Sequence, residues 1–82
     1  MLKEFKIDGY LYVPLNTSKE KINKILDDNL YNYEIAKIEE RDYEIAVDFS
    51  TIVLSKSKEE AEKQFLNVLF GYDVDNYVIK EL

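Results

Sequence analysis

From Leu2 to Leu15 the chain alternates. Phe5, Ile7, Leu11 and Val13 fall on one side of an extended backbone, with Glu4, Lys6, Asp8, Tyr10 and Tyr12 on the other. Successive side chains of a strand point to opposite faces, so this period of two predicts a strand half buried against a core. Asp8-Gly9 also reads as a hairpin turn, because Asp-Gly between alternating apolar residues is a strong hairpin signal. A two-residue turn there would pair Ile7 with Tyr10 and Phe5 with Tyr12, leaving Leu11 and Val13 beside Lys6 and Glu4. The continuous strand keeps the four apolar positions together and is the preferred reading, with Gly9 as a bulge.

Pro14 closes the strand. Thr17-Ser18-Lys19-Glu20 then reads as a capping box in which the Thr17 hydroxyl accepts the Glu20 amide. Ile22, Ile25, Leu26 and Leu30 follow at helical spacing, predicting a helix over Ser18–Asn29. The tetrapeptide Tyr-Glu-Ile-Ala occurs at Tyr33 and again at Tyr43. Nothing else recurs at ten residues, so the doubling is read as two strands, Tyr33–Ile38 and Tyr43–Leu54, joined by a four-residue loop over Glu39-Glu40-Arg41-Asp42. That register pairs Ile38 with Tyr43, Ala36 with Ile45, Lys37 with Glu44 and Ile35 with Ala46. The second strand of the pair puts Tyr43, Ile45, Val47, Phe49, Thr51 and Val53 on one face and should be central. Ser57-Lys58-Glu59-Glu60 is a second capping box, opening a helix with a buried stripe of Ala61, Phe65, Val68, Leu69 and Tyr72. Gly71 stands where a left-handed C-cap belongs. Asp73–Asn76 reads as a turn and Tyr77–Glu81 as a last strand.

The order β-α-β-β-α-β resembles the split βαβ arrangement of ferredoxin-like domains. The resemblance is one of fold and implies an α+β domain. A four-stranded antiparallel sheet would carry both helices on one face and leave the other face open. With 82 residues, a single domain over 1–82 is expected.

Charge changes the picture more than composition does. The formal net charge is −6, and it is concentrated. Between Asp27 and Asp48 stand Asp27, Asp28, Glu34, Glu39, Glu40, Asp42, Glu44 and Asp48, answered only by Lys37 and Arg41. Affinity for phosphate backbones comes mainly from Lys and Arg, so direct binding of nucleic acid is disfavoured. The chain has no cysteine and no histidine. That removes disulfides, thiolate metal sites, thiol nucleophiles, the commonest general base and the usual zinc ligand. Asp73-Val74-Asp75-Asn76 has the look of a calcium loop, but Val78 stands where the EF-hand pattern needs glycine. Neither glycine belongs to a phosphate-binding loop. No catalytic residue, cofactor or metal is expected. The start of the chain does not read as a secretory signal and no apolar run approaches the ~20 residues of a membrane span, so a cytoplasmic protein is the expectation.

The remaining reading is a protein-binding domain. Tyr10 and Tyr12 fall on the outward face of the first strand, with Tyr33 and Ile35 assigned to the corresponding face of the second, and tyrosine is enriched in protein interfaces. The carboxylates of Glu39, Glu40, Asp42, Glu44 and Asp48, flanked by Asp27 and Asp28, could imitate nucleic-acid phosphates and block a basic groove on another protein. Anti-CRISPR and other phage-encoded inhibitors are proteins of this kind, a similarity without a matching motif. The alternative is a self-associating structural or regulatory domain that pairs its open sheet face with a second copy.

Overall fold

The computed structural model describes residues 1–82. β1 spans Lys3–Pro14, α1 Lys19–Asn29, β2 Glu34–Glu40, β3 Glu44–Ser55, α2 Lys58–Val68 and β4 Asp73–Glu81. The strands form one sheet in the order β2-β3-β1-β4, with every neighbouring pair antiparallel. This is the α+β, ferredoxin-like βαββαβ arrangement, and no helix is long and apolar enough to cross a membrane.

β1 runs unbroken through Asp8-Gly9 and pairs with β3 from Lys3↔Ser55 to Pro14↔Glu44. Burying Phe5, Ile7, Leu11 and Val13 together decides the matter, since each fully buried apolar side chain contributes roughly 1.5–3 kcal/mol. The irregularity near Gly9 is real, but the extra residue lies in β4. Pairing jumps from Asp8↔Val78 to Tyr10↔Asp75, and Asn76 takes a left-handed φ of 53°. A Cβ at position 9 would lie 3.0 Å from Tyr77 Cβ, so glycine is needed where the bulged strand closes in.

One contiguous core lies between the helices and the sheet. Phe5, Ile7, Leu11, Val47, Phe49, Ile22, Leu26 and Phe65 are all buried in it. Phe49 and Phe65 link sheet to helix with ring centroids 6.2 Å apart, and Tyr77 extends the row at 5.5 Å from Phe65. The strands set the length of the molecule. Twelve residues at ~3.4 Å each span about 40 Å, matching a longest extent of 42 Å. Each 11-residue helix is only about 16 Å long, so the helices cover the middle of the sheet and leave its ends bare.

Several local expectations are corrected. The cap of α1 is Ser18, whose Oγ accepts from Lys21 N at 3.1 Å. Thr17 is instead occupied in a turn, its amide bonded to Pro14 O at 3.0 Å. The cap of α2 is Ser57 as expected, accepting from Glu60 N at 3.2 Å. Ala61, Phe65 and Leu69 are buried, but Val68 and Tyr72 are exposed because α2 ends at Val68. Gly71, at φ 92°, sits in the following turn, closed by Tyr72 N to Leu69 O at 3.1 Å.

The β2–β3 register is also different. Arg41 N donates to Glu44 O at 2.8 Å, leaving Asp42-Tyr43 as a tight tip, and Ile38 pairs with Val47, Lys37 with Asp48 and Ile35 with Phe49. Two facts select this register. It sets Ile38 beside Val47, and a bulge at Ala36 turns Ile35 to the same buried face. Tyr43, expected at the head of a buried set, is exposed at the tip. β4 begins at Asp73 rather than Tyr77, since pairing of Asp73 and Asp75 with Tyr12 and Tyr10 outweighs their turn propensity.

Candidate binding face

The face of the sheet away from the helices is built in rows, because directly paired residues share a face. One row holds Lys37, Asp48, Tyr10 and Asp75, and the next Glu39, Ala46, Tyr12 and Asp73. Glu44 pairs with Pro14 beyond them, and toward the other end come Asp8, Glu34 and Val78, then Lys6, Lys80 and Ile52, then Glu4 and Leu54. Eight carboxylates therefore share this face with the four cations Lys6, Lys37, Arg41 and Lys80.

At its centre Tyr10 and Tyr12, two apart on β1, stack with centroids 6.2 Å apart and planes 20° from parallel. The Arg41 guanidinium lies 5.8 Å from both centroids, within cation–π range. Glu39 holds it there, its Oε1 accepting from Arg41 Nε at 3.1 Å, while Glu39 Oε2 sits 3.0 Å from Lys37 Nζ. Hydrogen bonds from Lys37 and then Arg41 hold the Glu39 carboxyl below its usual range. The same bonds raise both cations, Lys37 and Arg41. Tyr12 and Asn76 lie at the edge of hydrogen-bond reach, 3.5 Å.

The ten residues singled out in the sequence do not form one site. Tyr10, Tyr12, Glu39, Glu44 and Asp48 converge on the open face. Asp42 is at the hairpin tip, and Glu40, paired with Ile45, faces the helix side. Asp27 and Asp28 belong to α1, on the opposite side of the sheet, where Asp28 pairs with Lys24 at 2.9 Å.

Tyr33 is the clearest correction. Together with Ile35 it packs against the core, and its hydroxyl donates to Asp27 Oδ1 at 2.7 Å. That bond raises the Tyr33 pKa, because the neutral phenol is the donor. The Ala36 bulge reverses the parity on which its outward assignment rested. Arg41, Asp73 and Asp75 join the face unforeseen. Their signal was indirect, since only the Arg41–Glu44 closure and the β1–β4 register bring them beside the tyrosines.

No protein-family model and no curated protein matches the chain. Among solved structures, the chain is similar to a de novo designed protein, Foldit4, at a TM-score of 0.54 and 17% identity, over 95% of this chain and 97% of that one. A likeness at that identity is one of fold alone.

Proposed function

We propose that this chain is a non-enzymatic binding protein that engages a basic protein surface through its open sheet face, as an inhibitor that takes the place of nucleic acid. One observation carries the reading: two stacked tyrosines with a guanidinium over both rings, ringed by Glu39, Glu44, Asp48, Asp73 and Asp75. These five carboxylates lie within three rows, about 14 Å along the strands. That density is close to the one phosphate per ~3.4 Å of a single nucleic-acid strand, and well below that of a duplex. The stacked tyrosine rings beside them would play the part of the strand's bases in this reading.

The chain's own Arg41 guanidinium, 5.8 Å from both ring centroids, supports the reading that a partner's arginine could engage the same rings. Complementary fields of this kind speed association and select partners. The surplus of negative charge also weighs against self-association, since two copies face to face would oppose like charges.

The test is affinity capture from host extract with the native chain and with Glu39, Glu44, Asp48 and Asp75 together changed to Lys. The native chain should retain a basic protein that free nucleic acid and rising salt displace, and the folded variant should not. Capture of the same protein by both would overturn the reading.

A further inference from the structure

We propose a second, separate binding site: the free edge of β3 beside the C-terminal end of α1, built to take an extended peptide that carries apolar residues flanked by basic ones. β3 is longer than the strand that covers it. The β2 ladder ends at the Glu34–Ser50 pair, while β3 continues to Ser55. At the first position beyond, the side-chain amide of Asn32 does the work of a peptide group. Its Nδ2 donates to Ile52 O at 2.9 Å and its Oδ1 accepts from Ile52 N at 2.8 Å. Asn32 thus stands in for one residue of an added strand. Two residues further on, the N–H and C=O of Leu54 point the same way by strand periodicity and meet no strand.

A groove of about 350 Å³ runs along this edge. It is lined by the consecutive residues Thr51–Leu54, of both parities, so it follows the strand's rim and not a face. Leu30, Tyr31 and Val68 make it apolar, and Leu54 (54% exposed) and Val68 (42%) are open to solvent. The helices leave it uncovered because they are too short for the sheet.

Charge names the rest of the ligand. The groove continues past Leu30 and Tyr31 to Asp27 and Asp28, in the last turn of α1, which holds no basic residue. Asp28 pairs with Lys24 and Asp27 accepts from the Tyr33 hydroxyl, yet both stay exposed at the negative end of the helix dipole, where a further cation is favoured. An extended segment paired to β3 in line with β2 would give main-chain bonds at Leu54, apolar side chains to the groove, and a Lys or Arg to Asp27 and Asp28. A second copy fits less well, because it would bring its own carboxylates to the same seam.

The probe is the peptide acetyl-KTVTVTK-amide, followed by amide hydrogen exchange and 15N-resolved spectra of the native chain. In the free protein the Leu54 amide should exchange rapidly and that of Ile52 slowly. Saturating peptide should slow Leu54 at least about tenfold, and Val68→Lys should weaken binding by a similar factor. Leu54→Pro, which removes the edge donor and leaves the β1 ladder intact, gives a second route to the same loss. Failure to bind by ~1 mM peptide, the limit of a weak specific contact, would overturn the proposal. So would binding without protection of Leu54. Protection of Leu54 that rises with protein concentration alone would assign the groove to a second copy and overturn it equally.

Discussion

The two faces of the sheet use the same residue types for opposite ends. On the helix face, Tyr33 and Tyr77 each lie against the core and donate to a helix carboxylate, Asp27 on α1 and Glu62 on α2, both at 2.7 Å. These pairs tie the outer strands to the helices above them, and the Tyr33 hydroxyl also reaches Asn23 O of α1 at 3.4 Å. On the open face, Tyr10 and Tyr12 stack on one another beneath Arg41, with carboxylates all round. No helix covers them. A tyrosine beside an acid is a structural clasp where a helix roofs it and an exposed, charge-ringed surface where none does.

The largest blow to that contrast is to the core both faces share. Val47 is fully buried in central β3, and Val47→Asp places an unpaired charge there, with an expected loss of more than about 4 kcal/mol, enough to unfold the domain. A cooperatively melting Val47→Asp variant would mean that the wrong face has been called the inside.

Next comes the clasp. Tyr77→Phe removes a partly buried hydrogen bond to a carboxylate and should cost about 1 kcal/mol by denaturant unfolding. The Tyr77 pKa is raised, chiefly by its bond to Glu62, so its stabilisation is complete below the unfolded value near ~10 and lost as pH rises through the higher folded one. Native protein should therefore destabilise above about pH 10, and the Tyr77→Phe variant less steeply.

The smallest stability effect belongs to the open face. Arg41→Met should leave the denaturation midpoint unchanged, since exposed ion pairs are worth little. It should however vacate the tyrosine rings, visible as a shift of the Tyr10 and Tyr12 ring proton resonances. A stability loss matching that of Tyr77→Phe would make the open-face stack structural too and erase the distinction.

Which of these features could be read in advance follows from how local their causes are. β1 was legible because its alternation is strict, and α2 because Ser57 and Glu60 stand at cap spacing. The β2–β3 register was not, since one bulge at Ala36 inverts the parity of everything before it and no local residue announces it. That inversion turned Tyr33 against the core and put Lys37, not Tyr33, across from Asp48 in the row of Tyr10. Asp73–Asn76 carries turn-forming residues, and only pairing with a strand some sixty residues earlier makes it β4. Of the residues on the open face, Tyr10, Tyr12, Glu39, Glu44 and Asp48 followed from the pattern; Asp73 and Asp75 needed the tertiary register.

The position of β1 has a consequence for how the protein comes to be made. β1 precedes the other three strands of the sheet, yet both its neighbours come later: β3 from Glu44 and β4 from Asp73, with Leu82 N bonding Glu4 O at 2.9 Å. Its partners are distant in sequence, so loop closure must precede the pairing that rewards it, a topology that folds slowly. At ~5–20 residues per second, a nascent chain carries β1 for several seconds with both rims bare. Glu4, Lys6 and Asp8 set charges along that strand, the kind of residue that discourages premature strand pairing.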